Sequence, residues 1–140
     1  MLVSDRMKTA LVLVRPSDSV RTAWGLLREH QIRHLPVVEN GKLVGIVTDR
    51  DIRLVFPSAI TAGQREQDPH DVLEQVSVQE IMARQVVTVT SDTSVADAAR
   101  LLVERRIGGL PVVRGEHLVG IITKDDILNA FVEVMEERDQ

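Results

Sequence analysis

An internal repeat constrains this chain more than any other feature of its sequence. A shift of 75 positions places residues 3–53 on residues 78–128 without a gap, and about 22 of roughly 51 aligned pairs are identical. Unrelated sequences of this length would share about three identities. The longest shared segments are residues 35–38 with 110–113 and residues 43–46 with 118–121. The chain therefore carries two copies of one supersecondary unit.

Each copy is predicted to follow the order β-α-β-β-α. Alternating valines predict a short first strand, and a serine, Ser19 or Ser94, stands at the N-cap of the first helix. Apolar residues at helical spacing follow each serine: Val20, Ala23, Trp24 and Leu27, and then Val95, Ala98, Ala99 and Leu102. Asn40-Gly41 between two apolar runs predicts a β-hairpin, and Gly115 supplies the equivalent turn in the second copy.

Each copy closes with Thr-x-x-Asp, which is a helix-start signature. After the second of these motifs the helix runs long, and four apolar residues are predicted on one of its faces: Ile127, Ala130, Phe131 and Val134. After the first motif Pro57 is predicted to end the helix. The polar residues 64–71 predict an exposed connection between the copies.

These patterns predict the fold class and the domain organisation. We expect an α+β, sandwich-like domain in which two pseudo-symmetric repeats pack through their sheets, because a single unit of this size covers its own sheet poorly. The first repeat is placed at residues 1–57, a polar linker at 58–75, and the second repeat with its long C-terminal helix at 76–140.

Composition narrows the function. The absence of cysteine excludes disulfides and thiolate metal sites, and the four histidines lack metal-ligand spacing. A net charge of −4 and 2% aromatic residues argue against nucleic-acid binding. No apolar run reaches the ~18–20 residues of a membrane span, and no signal peptide is evident, so we expect a cytoplasmic protein. No catalytic motif occurs, and we expect no enzyme activity.

The repeated motif resembles a known family. Leu-Pro-Val-Val, a turn and Leu-Val-Gly-Ile-(Val/Ile)-Thr-x-x-Asp are similar to the motif of a cystathionine β-synthase (CBS) domain, and two copies in tandem resemble a Bateman module. The openings Val3-x-x-x-Met7 and Val78-x-x-x-Met82 are similar to the usual lead-in. The resemblance is to stand-alone pairs. It implies adenosine-type ligands (AMP, ADP, ATP, S-adenosylmethionine or NAD) in clefts between the repeats, and a disc-like homodimer.

The Thr-x-x-Asp motif has chemistry that suits such ligands. Both oxygens of a carboxylate accept, so Asp51 or Asp126 could receive the two ribose hydroxyls, while the start of the helix at Thr48 or Thr123 offers N–H groups to phosphate. Gly45 and Gly120 could let a ligand approach the backbone closely, although glycine in a strand is also typical of a bulge. The alternative is that Thr-x-x-Asp acts only as a capping box.

The two copies differ in charge near this motif. Arg33-His34 aligns with Gly108-Gly109, and the other pairs are Lys8 with Ala83, Thr9 with Arg84, Asp49 with Lys124, and Arg50 with Asp125. We expect the first site to favour polyphosphate and the second a nucleoside-like ligand, unless the clefts share side chains across the repeats, which could invert the order. Alternatively the charges face solvent. The predicted ligand-binding residues are Lys8, Thr9, Arg33, His34, Thr48, Arg50, Asp51, Gly108, Gly109, Thr123 and Asp126.

The sequence therefore predicts a regulatory module with no obligatory cofactor. An adenine nucleotide or S-adenosylmethionine would act as the regulatory ligand, and occupancy would be transmitted to an unidentified partner protein. The alternative is a dimerisation or scaffold protein that binds no ligand.

Overall fold

The packing of the chain divides it differently from the repeat. The computed structural model describes residues 1–55 and 69–139. One compact unit comprises Val12–Val86, and the other comprises Met1–Leu11 together with Val87–Gln140. We call them the first-repeat unit and the second-repeat unit. The opening segment of each sequence repeat therefore packs in the unit formed mainly by the other repeat.

The first helix of each unit begins and ends with the same local signals. Helix α1 spans Val20–His30, and the Ser19 hydroxyl accepts a hydrogen bond from Thr22 N at 3.0 Å. Helix α5 spans Val95–Arg105, and Ser94 accepts from Asp97 N at the same distance. Each helix ends at a left-handed residue that follows it directly. The two predicted N-caps are confirmed.

A β-hairpin follows the first helix in each unit. Strands β1 (His34–Glu39) and β2 (Lys42–Thr48) pair antiparallel in the first-repeat unit, as do β3 (Gly109–Arg114) and β4 (His117–Thr123) in the second. Asn40 and Gly41 both have positive φ, as a tight hairpin turn requires, and Gly115 has φ +61°. Helices and antiparallel hairpins in both units confirm the α+β class.

Two short segments extend each hairpin on its outer edges. In the first-repeat unit, Val14 pairs with Val37 in parallel and Ala83 pairs with Ile46 in antiparallel orientation. The equivalent bridges in the second-repeat unit join Val89 to Val112 and Lys8 to Ile121. Ala83 follows helix α4 (Val78–Ile81), and Lys8 follows the equivalent 3₁₀ turn at Val3–Asp5. The bridges of Ala83 and Lys8 show that each lead-in pairs with the hairpin of the other repeat, and we call this arrangement the exchange of the lead-ins.

Each unit has its own apolar core beneath the hairpin and its first helix. The fully buried residues of the first core include Val20, Leu35, Val37, Val47, Ile52, Leu73 and Val78. Those of the second include Val3, Ala98, Leu110, Val112 and Ile122. The valine that opens each lead-in, Val3 or Val78, is completely buried in the unit it joins.

The C-terminal part of the segment predicted as a polar linker is helical. Helix α3 spans Pro69–Glu74, and Leu73 is fully buried in the first core. Arg21 of α1 lies 3.6 Å from Asp71 and 3.9 Å from Glu74. The part of the predicted linker at 69–75 therefore includes a packed helix. The rest of it, residues 58–68, and the predicted helix end at Pro57 lie outside the described residues.

The helices that follow the two hairpins begin at the Thr-x-x-Asp motifs. Helix α2 covers residues 49–55, and α6 spans Lys124–Arg138. The inward residues of α6 are Asp126 and Ala130, with Ile127 half-buried, whereas Phe131 is 56% exposed. The predicted apolar face is therefore only partly buried, since Phe131 and Val134 are both exposed. The bond from Thr123 to Asp126 turns residue 126 inward, and this sets the rotation of the helix.

No helix in the part of the chain that the structure describes has both the length and the apolar character needed to cross a membrane.

Candidate functional site

The first Thr-x-x-Asp motif joins the end of β2 to the start of α2. Thr48 N donates to Asp51 Oδ2 at 2.9 Å, and Asp51 N donates to Thr48 Oγ1 at 3.2 Å. Both side chains are half-buried. This reciprocal pair is a capping box with aspartate in place of glutamate, so the motif has a structural role without any ligand.

The second motif joins β4 to α6 and buries its carboxylate more deeply. Thr123 donates to Asp126 Oδ2 from its backbone N at 2.8 Å and from its hydroxyl at 3.1 Å. Asp126 is 8% exposed and is the only buried charged residue among those that the structure describes. Its other oxygen, Oδ1, lies 3.1 Å from Lys8 Nζ. A buried carboxylate is costly without partners, and these three contacts satisfy it.

The residues before Leu-Pro lie beside the motif in each unit. His34 is the strand partner of Thr48, and Asp49 N donates to the Arg33 carbonyl at 3.1 Å. Gly109 is likewise the partner of Thr123, and Lys124 N donates to the Gly108 carbonyl at 3.0 Å. The structure thus brings each predicted segment to its own Thr-x-x-Asp motif.

Lys8 and Thr9 lie in the other unit from the one that the sequence predicted. Lys8 exchanges two backbone hydrogen bonds with Ile121, at 2.8 and 3.0 Å, and its ammonium reaches Asp126. The expectation that Lys8 acts with Arg33 and Arg50 is therefore wrong. The equivalent place in the first-repeat unit is taken by Ala83, which exchanges the same two bonds with Ile46, and is followed by Arg84.

These contacts, with the residues next to them in the chain, are used to define two sites, each within one unit. Site 1 consists of Arg33, His34, Thr48, Arg50 and Asp51 with Ala83 and Arg84 of the lead-in. Site 2 consists of Gly108, Gly109, Thr123, Asp125 and Asp126 with Lys8 and Thr9 of the lead-in.

Gly45 and Gly120 make room for the protein itself. A Cβ added at Gly45 would lie 2.6 Å from Met82 Sδ and 3.0 Å from the Ala83 carbonyl oxygen. A Cβ at Gly120 would lie 2.7 Å from Met7 Sδ and 3.0 Å from the Lys8 carbonyl oxygen. The glycines therefore admit the methionine and the backbone of the lead-in, and the expected close approach of a ligand at these two positions is wrong.

The charges of the two sites differ. Arg33, Arg50 and Arg84 are all exposed at site 1, and the neighbouring Asp49 carboxylate is paired with Arg53. Arg84 also donates to the Gln79 carbonyl at 3.2 Å. At site 2, Lys8 is committed to Asp126, and Asp125 is exposed beside it. Site 1 thus has three exposed arginines in or beside it, and its lead-in contributes Arg84 where the sequence analysis placed Lys8.

A groove of about 410 Å³ borders Asp126 in the second-repeat unit; it is lined by Asp5, Arg6, Asp126, Asn129, Val132 and Glu133. Arg6 forms an ion pair with Glu133 across it. The hydrogen bond from Arg6 lowers the pKa of Glu133 and raises that of Arg6. Glu133 therefore ties the N-terminal turn to α6.

Sequence reasoning missed the roles of Arg84, Ala83 and the Lys8–Asp126 pair. The lead-ins occupy equivalent positions in the two repeats, so alignment of the repeats cannot tell which lead-in joins which unit. Lys8 and Asp126 can both be read from the sequence. Their contact cannot, because it forms only when the lead-in of the first repeat packs in the second-repeat unit.

The fold and the duplicated Thr-x-x-Asp geometry define a protein made from two copies of one small α+β domain. Comparison with protein families identifies that domain. The sequence model of the CBS domain matches residues 3–58 and 78–133, and the chain belongs to the CBS domain family.

Relatives resemble this chain over nearly its whole length. The CBS domain-containing protein YhcV of Bacillus subtilis is 34% identical over 125 residues, which are 89% of this chain and 81% of the relative. The crystal structure of CBSX2 in complex with AMP is similar, with a TM-score of 0.78 and 31% identity, over 96% of this chain and 98% of that one. The CBS domain pair of MJ0100 in complex with 5′-methylthioadenosine and S-adenosyl-L-methionine has a TM-score of 0.77 and 32% identity, over 95% and 97%.

Proposed function

We propose that this protein is a regulatory module that binds an adenosine-type ligand at site 1 and site 2 and transmits their occupancy to a partner protein. The observation that carries the proposal is the repeated placement of a carboxylate at a helix start, beside the segment before Leu-Pro, in both units. The similarity to two CBS domain pairs in complex with AMP and with S-adenosyl-L-methionine supports this ligand class.

Each site residue has a role in this proposal. Asp51 and Asp126 accept hydrogen bonds from the ribose hydroxyls, since both oxygens of a carboxylate are acceptors. Thr48 and Thr123, with the N–H groups at the helix starts, face the sugar or phosphate. His34 and the backbone of Gly108 and Gly109 border the adenine.

The charges of site 1 favour the more anionic ligand. Arg33, Arg50 and Arg84 provide guanidinium groups that pair with phosphate oxygens, and charge-assisted bonds of this kind are about twice as strong as neutral ones. Gly108 and Asp125 take the places of Arg33 and Arg50 at site 2, so that site favours a nucleoside-like or weakly anionic ligand. These charges predict which class of adenosine-type ligand each site prefers. A direct comparison of the ligands in one binding assay identifies the ligand itself.

Regulation requires that the ligand bind two arrangements of the protein with different affinity.

We further propose a homodimer formed through the outer face of α6. This face exposes Leu128, Phe131, Val132 and Met135, which lie at helical i, i+3, i+4 and i+7 spacing, and monomeric proteins rarely leave such a stripe uncovered. Sedimentation of Phe131→Glu should then report monomer where the wild type reports dimer; an unchanged dimer would refute this face as the interface. A cytoplasmic location is part of the proposal.

A thermal-shift panel tests the ligand class. AMP, ADP, ATP, S-adenosylmethionine, NAD and adenosine are each added at millimolar concentration. A ligand at about 100 times its Kd stabilises by about 2.7 kcal/mol, which raises the Tm of a protein of this size by several degrees. A shift with at least one ligand supports the sensor. The absence of any shift would favour the alternative, a scaffold that acts only through protein contacts.

A further inference from the structure

The two sites differ in one contact that the sequence repeat makes directly comparable. Lys8 and Ala83 are equivalent positions, and each exchanges two backbone hydrogen bonds with the equivalent residue of the neighbouring strand, Ile121 or Ile46. Only the lysine carries an ammonium group, and its Nζ lies 3.1 Å from Asp126 Oδ1. Alanine at 83 cannot make this contact with Asp51.

The contact changes how much acceptor capacity each aspartate retains. A carboxylate offers about four lone-pair positions. At Asp126, Thr123 takes two of them on Oδ2 and Lys8 takes one on Oδ1, which leaves one. At Asp51, the described residues place one donor, Thr48 N, on Oδ2. The two adjacent hydroxyls of a ribose need two acceptor positions. Asp51 offers them directly, whereas Asp126 offers them only after Lys8 moves.

We propose that Lys8 sets the order of affinity of the two sites, because its ion pair with Asp126 makes site 2 the weaker site for ribose-bearing ligands. This inference rests on the proposed function, since it assigns both aspartates to the ribose. The Lys8 side chain is 58% exposed, so its ammonium can return to water when the ligand enters. The pair therefore weakens site 2 without closing it.

The size of the effect follows from the exposure of the lysine, whose ammonium keeps contact with water although Asp126 is buried. We therefore take the scale of solvent-exposed ion pairs, about 0.2–1 kcal/mol, which corresponds to a change in affinity of up to about fivefold. Loss of the ammonium should tighten adenosine binding at site 2 by about two- to fivefold. Adenosine is the suitable probe because it carries the ribose without a phosphate that Lys8 could attract.

Reciprocal substitutions test the inference, each made where only one site remains. In an Asp51→Ala background, Lys8→Ala should lower the Kd for adenosine at site 2 by about two- to fivefold in calorimetric titration. In an Asp126→Ala background, Ala83→Lys should raise the Kd at site 1 by a similar factor. Arg114→Ala, which removes one positive charge at the far end of β3, should leave adenosine binding at site 2 unchanged and serves as the charge control.

Two failures are distinguishable. If adenosine binds at site 2 and Lys8→Ala leaves its Kd unchanged or raises it, the inference is overturned while the proposed function stands. If the wild type binds none of the adenosine-type ligands, the proposed function fails, and the inference fails with it. A double-mutant cycle on unfolding, with Lys8→Ala, Asp126→Ala and both together, adds a ligand-free readout. The cycle should show a favourable coupling, and a coupling of zero would also overturn the inference.

Discussion

Replacement of Gly45 by alanine tests the exchange of the lead-in segments. The added methyl group would lie 2.6 Å from Met82 Sδ and 3.0 Å from the Ala83 carbonyl oxygen. The methionine can move only by disturbing the core in which it is buried. The carbonyl is held in place by the bond that it accepts from Ile46 N at 3.0 Å, and Ala83 N donates back to Ile46 at 2.9 Å.

The loss of stability can be bounded from these contacts. Insertion of one carbon into a well-packed core costs about 1–3 kcal/mol, and the backbone contact places this site near the middle of that range. We expect Gly45→Ala to lower the free energy of unfolding by about 2 kcal/mol and the Tm by about 6 °C. Urea unfolding followed by circular dichroism measures the first value, and a thermal scan measures the second.

Two further variants make the experiment specific. Gly25 lies in α1 with no atom near its would-be Cβ, so Gly25→Ala should leave stability unchanged or raise it by up to about 1 kcal/mol. Met82→Ala removes the closest atom, so Gly45→Ala should cost less in the Met82→Ala background than in the wild type. Two results would refute the placement of the lead-in. One is a Gly45→Ala variant with the same free energy of unfolding as the wild type, and the other is a double variant whose loss equals the sum of the two single losses.

Three other predictions concern packing, capping and pH. Ser19→Ala removes the acceptor for Thr22 N and should lower the free energy of unfolding by about 1 kcal/mol, measured in urea; no loss would show that this cap is dispensable. Leu73→Ala should lower the free energy of unfolding by about 2–5 kcal/mol in the same assay, and a loss under about 1 kcal/mol would show that α3 does not pack into the first core. The hydrogen bond from Arg6 lowers the pKa of Glu133, so the pair stabilises the fold above the ordinary glutamate pKa and this contribution is lost as the pH falls through the lowered value. Glu133→Gln should remove this part of the acid dependence of the urea midpoint, and an unchanged pH profile would contradict the pairing.

Much of the fold follows from local sequence signals. Ser19 and Ser94 cap helices because a serine hydroxyl satisfies a free N–H at the first turn, and this chemistry involves only residues three apart. Asn40-Gly41 likewise determines a tight turn through the backbone conformations that these two residues tolerate. Such features depend on a few neighbouring residues, so the sequence alone predicts them.

The connections between distant segments could not be predicted in the same way. Val3 and Val78 open equivalent lead-ins, and nothing in either sequence selects one hairpin over the other. The choice depends on the path of the whole chain. For this reason the sequence placed Lys8 with Arg33, whereas the structure places it against Asp126.

The amphipathic pattern of α6 was ambiguous for a different reason. This helix has apolar residues on more than one face, so spacing alone does not determine which face packs inward. The capping bond from Thr123 to Asp126 fixes the rotation and leaves Phe131 outside. Leu73 differs from Phe131 in the opposite direction, because it is buried although it was predicted to lie in a polar linker. Val72 and Leu73, at the edge of the polar stretch, form part of the first core.

The sequence predicted which hairpin residues form each site, but it did not predict which lead-in joins which site. Thr48 and Asp51 lie with Arg33 and His34, and Thr123 and Asp126 lie with Gly108 and Gly109, because each set comes from one hairpin and the turn that follows it. The lead-in residues were the exception. Ala83 and Arg84 join site 1 in place of Lys8 and Thr9. Each lead-in brings one positive charge, so the different charge of the two sites comes from Arg33 and Arg50 at site 1 against Gly108 and Asp125 at site 2.

Calorimetric titration of the wild type and of Asp51→Ala, Asp126→Ala and the double variant tests the central claim most directly. The titrant is the ligand that gives the largest thermal shift, and urea unfolding confirms that each variant is folded, with a loss of about 1 kcal/mol for each cap. We predict two binding events in the wild type, one in each single variant and none in the double variant. Binding by the folded double variant with the affinity and stoichiometry of the wild type would contradict the assignment of these carboxylates to the ligand.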